Sequence, residues 1–186
     1  MTHTLTHKKV AILVANGFEQ VELTQPLEAL QAAGVQVHIV SPEQEQVQGW
    51  HHYDKGDYFA VDVPLEQAKA ENYDALVLPG GTVNPDQLRV NPQAIALIKD
   101  FATAGKWIAA VCHGPWLLAE ADLIQGCDVT SWPSLQTDLR NAGANWVDRE
   151  VAIAHQQQLI TSRNPDDLPA FSEALIGCLN RVPVGA

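Results

Sequence analysis

The stretch Trp107–Pro115, W-I-A-A-V-C-H-G-P, decides how this chain folds. Its first five residues form a short apolar run that reads as a buried strand. Pro115 suits the first turn of a helix, where its missing N–H costs nothing. Only Cys112, His113 and Gly114 remain to reverse the chain between the two. A strand-to-helix turn this tight has the form of a nucleophile elbow, with cysteine where hydrolases carry serine. Cys112 is then expected at the positive end of a helix dipole, where a thiol ionises easily and becomes a nucleophile.

Working outward, apolar strand segments alternate with helical ones. Val10–Ala15, Val35–Val40, Tyr73–Leu78, Val151–Ala154 and Leu159–Ser162 read as strands, and Val129-Thr130 as a short one. Helices are expected over Gln20–Ala33, closed by Gly34, and over Pro92–Ala104, capped by Asn91 and closed by Gly105. Others are expected over Pro64–Ala70, Pro115–Ala121, Leu135–Ala142 and Asp167–Leu179. Trp50–Val63, with Gly56 among aromatic and β-branched residues, reads as a hairpin. The pattern predicts an α/β fold with a mostly parallel sheet and helices on both faces. Ligands in such folds bind beyond the carboxyl ends of the strands. Three segments fall there: Asn16–Glu22, Pro79–Asp86 and Cys112–Gly114.

The chain has 186 residues, 46% of them hydrophobic, enough for one full core. We expect a polar, flexible N-terminus over residues 1–8 and a single domain over 9–186. The net charge of −11 argues against nucleic acid or anionic membrane as a partner. No secretory h-region opens the chain and no apolar run approaches the roughly 20 residues of a membrane helix. Cys112, Cys127 and Cys178 are odd in number and widely spaced, which fits free thiols in a reducing cytoplasm.

Cys112 alone of the three has the context of a nucleophile; Cys127 and Cys178 read as structural. His113 is a candidate general base, if its ring turns toward the same cleft, and its N–H follows the nucleophile, where an oxyanion donor is wanted. Gly80-Gly81, after a strand, permits close backbone approach and a second such donor. Glu19 and Glu22, three residues apart, are candidates for an acid facing the sulfur, its pKa raised by the neighbouring negative charge. Glu22 is favoured, although spacing alone does not separate the two. His51-His52 and His155 lack metal-ligand spacing, and no Walker loop or G-x-G-x-x-G is present, so neither metal nor cofactor is expected.

Six blocks in order carry a resemblance: NGFEQVEL (16–23), DALVLPGG (74–81), AVCHGP (110–115), TSWP (130–133), NAGANWVD (141–148) and LITSRNPDDLPAF (159–171). From Lys9 to Leu179 the chain resembles the PfpI family of intracellular cysteine peptidases and deglycases. That family lies within the superfamily of class I glutamine amidotransferase-like domains that also includes the parkinsonism-associated deglycase. The resemblance implies a flavodoxin-like three-layer α/β/α sandwich. It implies Cys112 as nucleophile, Glu22 as the acid touching its sulfur, and the backbone of Gly81 and His113 as oxyanion donors. It implies a homo-oligomer, in which a Cys-His-acid triad is completed from a neighbouring subunit by the loop after P-G-G. Here that loop is T-V-N-P-D, longer than in relatives, with Asp86 at the matching place instead of Glu. Trp132 stands where relatives often carry a tyrosine at the cleft edge. The activity expected first is a stress-response hydrolase acting on reactive carbonyls or glycation adducts, glyoxalase- or deglycase-like. The alternatives are an oligomer-dependent peptidase and a redox stress sensor or chaperone without turnover.

Overall fold

A computed structural model describes residues 5–180. In chain order it contains β1 (Lys9–Leu13), β2 (Phe18–Glu19), α1 (Gln20–Ala32), β3 (Gln36–Ser41), β4 (Gln46–His51), β5 (Asp54–Ala60), β6 (Val63–Pro64) and β7 (Ala75–Leu78). There follow α2 (Val83–Arg89), α3 (Pro92–Thr103), β8 (Trp107–Val111), α4 (Pro115–Glu120), β9 (Asp128–Val129), α5 (Gln136–Asn141), β10 (Asn145–Trp146), β11 (Val151–Ala154), β12 (Leu159–Ser162) and α6 (Leu168–Leu179).

Seven strands form the central sheet in the order β11-β12-β8-β7-β1-β3-β6, parallel throughout except for the antiparallel β11–β12 edge. Side chains alternate between the two faces of a strand, and here both faces are covered. Ala11, Leu13, Leu76, Leu78, Ile108 and Ala110 enter one core with α3 and α4. Val10, Ile12, Ala75, Val77, Ala109 and Val111 enter a second with α1 and α6. That is why β1, β7 and β8 read as unbroken apolar runs. The expected three-layer α/β/α sandwich is therefore what forms. No helix among the described residues is long and apolar enough to cross a membrane.

Several local expectations are corrected. The hairpin turns at His52-Tyr53, between β4 and β5, and Gly56 lies inside β5. His52 takes the left-handed turn position at φ 56°. Gly56 serves a different purpose: a Cβ there would collide with the Gln20 side chain, whose amide exchanges hydrogen bonds with Asp57 at 2.7 and 2.8 Å. The segment after Pro64 forms two 3₁₀ turns, Leu65–Gln67 and Ala70–Asn72, in place of a helix. The segment after P-G-G is a helix, α2, and not a loop. Pro85 falls in its first turn, and buried Asn84 ties Ala15 N to the carbonyls of Pro79 and Gly80. The β9 strand pairs with β10 outside the main sheet. The N-terminal stretch is anchored from Leu5 onward, since Leu5 is buried and its N–H donates to Ala33 O; residues 1–4 lie outside the described residues.

Asn91 caps α3 as expected, its Oδ1 accepting from the N–H groups of Gln93 and Ala94. Urea denaturation should find Asn91→Ala less stable by about 1 kcal/mol, the worth of one cap. Phe101→Ala, which empties a fully buried site on the same helix, should cost about 3–5 kcal/mol.

Candidate active site

Three strand ends converge at the carboxyl edge of the sheet, where β1, β7 and β8 deliver Asn16–Glu22, Pro79–Thr82 and Cys112–Gly114. Cys112 leaves β8 with φ 61°, a left-handed conformation that a non-glycine residue holds only against strain. The surroundings hold it there. Cys112 N donates to Ser162 O at 3.1 Å, Cys112 O accepts from Trp132 N at 2.9 Å, and Gly114 N closes the turn on Val111 O at 2.8 Å. The elbow thus points the sulfur away from the sheet into a cavity of about 390 Å³. Glu19, Glu22, Gly81, His113 and Trp132 line that cavity with it.

Close approach of the P-G-G turn sets the spacing. A Cβ on Gly80 would lie 2.7 Å from His113 N, 2.8 Å from Cys112 Cβ and 2.8 Å from Glu22 Oε2, so no side chain fits. Its own N–H donates to Glu22 Oε2 at 2.6 Å. The backbone N–H groups of Gly81 and His113 both hydrogen-bond the Cys112 sulfur and favour its ionised form.

Glu22 is completely buried on the first turn of α1. Beyond the Gly80 bond, its Oε1 has no well-formed partner, and the neighbour acting on the carboxyl is the Cys112 thiol. Burial pushes the Glu22 pKa up to about 8, against the thiol and the Gly80 N–H, which favour the carboxylate; the charge of Glu19 adds to the rise. The expectation of an easily ionised thiol is corrected. Burial, and then the adjacent Glu22 carboxyl, push Cys112 upward, outweighing the two N–H donors. The helix behind it, α4, has only six residues and a correspondingly small dipole. Sulfur and carboxyl therefore share one site for negative charge. When Glu22 holds its proton, its repulsion of the sulfur vanishes and the two N–H groups are left to stabilise a thiolate.

His113 does turn toward the cleft. Its Nδ1 lies 3.2 Å from Cys112 Sγ, and its Nε2 lies 3.5 Å from Ser134 Oγ. The ring packs edge-on against Trp116 at 5.4 Å and stacks on Trp132 at 6.0 Å. Burial lowers its pKa and so favours the neutral imidazole. Trp116 is itself fixed, by a bond from Nε1 to Asp138 and by the Arg89 guanidinium over its ring. The sequence reading did not single it out, although it stands in the first turn of α4, only three positions after His113. His52, Tyr53, Thr82 and Pro165, which also line the cavity, carried no such signal. Asp86 is not brought to this cavity. It is exposed on α2, and within the chain the ring nitrogens of His113 face sulfur and a hydroxyl instead of a carboxylate. Among the described residues no cluster of three or more His, Cys, Asp or Glu side chains is arranged to hold a metal ion.

The raised Glu22 pKa has a thermodynamic consequence. The native state binds this proton more tightly than the unfolded chain does, so its contribution to stability is fully present below about pH 4.5 and lost as pH rises through about 8. At about 1.4 kcal/mol per pKa unit, the loss is on the order of 3–5 kcal/mol. Urea denaturation between pH 4.5 and 9 should show this decline, and Glu22→Gln should flatten it.

With this geometry in view, the comparisons with known proteins are consistent. The chain is 39% identical over 173 residues to the putative cysteine protease YraA of Bacillus subtilis, spanning 92% of this chain and 98% of that protein. It is 39% identical over 171 residues to protein/nucleic acid deglycase 2 of Escherichia coli, spanning 90% and 96%. A two-domain protein of Anabaena variabilis, with DJ-1/ThiJ/PfpI-like and ferritin-like domains, superposes with a TM-score of 0.86 at 35% identity; the match covers 92% of this chain and about half, 48%, of that one. The DJ-1/PfpI family matches residues 8–177, and the chain belongs to it.

Proposed function

We propose that this protein is a cofactor-free, cysteine-dependent hydrolase of the stress-response type that acts on reactive carbonyls or on early glycation adducts. The observation that carries the reading is the buried Glu22 carboxyl beside the Cys112 sulfur, with a pKa near 8. A group poised there both gives and takes a proton near neutral pH. Relatives named deglycases support the same chemistry.

With an α-oxoaldehyde, the sulfur of Cys112 bonds to the aldehyde carbon and the carbonyl oxygen takes a proton, forming a thiohemiacetal. The Gly81 and His113 N–H groups are the donors for that oxygen as its charge develops. Glu22, as carboxylate, removes the hydrogen on the former aldehyde carbon as a proton and returns it to the neighbouring carbon, while the proton on the thiohemiacetal oxygen passes to the former ketone oxygen. The product is a 2-hydroxy thioester on Cys112. Water then cleaves the carbon–sulfur bond, releasing lactate from methylglyoxal and restoring the thiol. Reactant and one water balance the product, with no external oxidant or reductant.

A second reading is peptidase action, favoured by the 3.2 Å contact between His113 Nδ1 and the sulfur. In it the imidazole is the base, and a homo-oligomer supplies Asp86 from a neighbouring subunit. The carbonyl reading is preferred because its nucleophile, Cys112, and its acid–base group, Glu22, lie together within one chain.

Reduced wild-type protein should convert methylglyoxal to lactate, and Cys112→Ala should abolish turnover. Glu22→Gln should lower kcat by about 10²–10⁴, the usual worth of a general acid–base group. Absence of turnover in the fresh wild-type protein, or full turnover in Cys112→Ala, would overturn the assignment.

A further inference from the structure

The cavity mouth carries charge that the proposed reaction does not use. Glu19 lines it with a side chain 12% exposed. Its Oε2 accepts from the backbone N–H of His52 at 3.0 Å, so the hairpin tip holds the carboxylate in place. The His52 ring nitrogen lies 3.5 Å from the same oxygen, with the ring largely in solvent. Below it sits the second carboxyl, Glu22, fully buried with Oε1 lacking a well-formed partner. Two aromatic faces complete the rim: Tyr53, 94% exposed, and Trp132, 39% exposed. Among the described residues no lysine or arginine lines the cavity.

The Glu19 carboxylate and the aromatic faces act in the same direction. A fixed carboxylate repels an incoming anion and attracts a cation across a partly shielded opening. Exposed aromatic faces attract cations and gain nothing from anions. An anionic substrate would also have to shed its hydration beside Glu22 with no cation to receive it. From this geometry we infer that Glu19 is a specificity-determining residue, making the Cys112 cavity selective for carbonyl compounds that are neutral or carry a cationic group, and against those bearing a carboxylate or phosphate beside the carbonyl. As a statement about substrates it rests on the carbonyl-hydrolase reading. As a statement about what reaches the sulfur it does not.

The test therefore uses thiol reagents, which need no turnover. Cys112 is modified with the cationic trimethylammonioethyl and the anionic sulfonatoethyl methanethiosulfonates at pH 8, and modification is followed by peptide mass spectrometry. The cation-to-anion rate ratio is referred to that of 2-mercaptoethanol, which cancels the intrinsic reactivity of sulfur. Wild-type protein should show a ratio about tenfold or more above the free thiol, the scale expected of one carboxylate at a half-shielded opening. Glu19→Gln should bring the ratio down severalfold. Raising salt from 20 mM to 0.5 M should shrink it in wild type, because screening weakens an exposed charge. A wild-type ratio equal to that of 2-mercaptoethanol overturns the inference. So does a ratio that survives both Glu19→Gln and high salt. Should Glu19→Gln fail to fold, the wild-type ratio and its salt dependence decide alone. Lack of lactate formation beside a high ratio would sink the hydrolase reading and leave the charge selection standing.

Discussion

Two acids, the Cys112 thiol and the Glu22 carboxyl, sit where water is largely excluded and where only one negative charge is comfortably held. Much of the local structure serves that constraint. Gly80 lacks a side chain because sulfur, carboxyl and the His113 amide already crowd its Cβ position. Its N–H supplies one strong bond to Glu22, and the Gly81 and His113 N–H groups supply the corresponding stabilisation to sulfur. The charge can thus move between two atoms without leaving its donors. Burial and the neighbouring carboxyl both push the thiol upward, and a proton on Glu22 removes the second of these effects.

The strain at Cys112 belongs to the same device. A left-handed cysteine aims its sulfur off the end of β8 and away from the sheet. The conformation is held by bonds to two other parts of the chain, Ser162 at the end of β12 and Trp132 beyond β9. The elbow is therefore a property of the assembled sheet edge. His113 follows from it, since the turn that exposes the sulfur also brings the next ring back over it, and Trp116 and Trp132 then fix the ring's plane. Immobilising a flexible imidazole in this way removes entropy before any substrate arrives.

Much of this was legible in the residues. Central strands buried on both faces must be continuously apolar, so Val10–Ala15, Ala75–Leu78 and Trp107–Val111 identify themselves. Asn91-Pro92 marks a helix start because cap and ring geometry are local. Local rules failed where a residue answers to a distant partner. Gly56 reads as a turn but makes room for Gln20, 36 positions earlier. The T-V-N-P-D segment reads as a loop, yet Asn84, bonded to Ala15 and to the carbonyls before it, anchors a helix there.

The sequence by itself determined the layered α/β architecture, the strand-to-helix turn at Cys112 and the short set of residues that meet beyond the strand ends. These depend on periodicity and on turn chemistry, which act over a few positions. Spacing left Glu19 and Glu22 unseparated and the resemblance pointed to Glu22; the tertiary structure placed one at the mouth and buried the other against sulfur. It also decided the sign of the thiol's pKa shift and left Asp86 exposed on α2, outside the cavity of its own chain. Those outcomes depend on burial and on distances between residues far apart in the chain, and electrostatic energies in a dry interior change too steeply with both to be read from spacing alone.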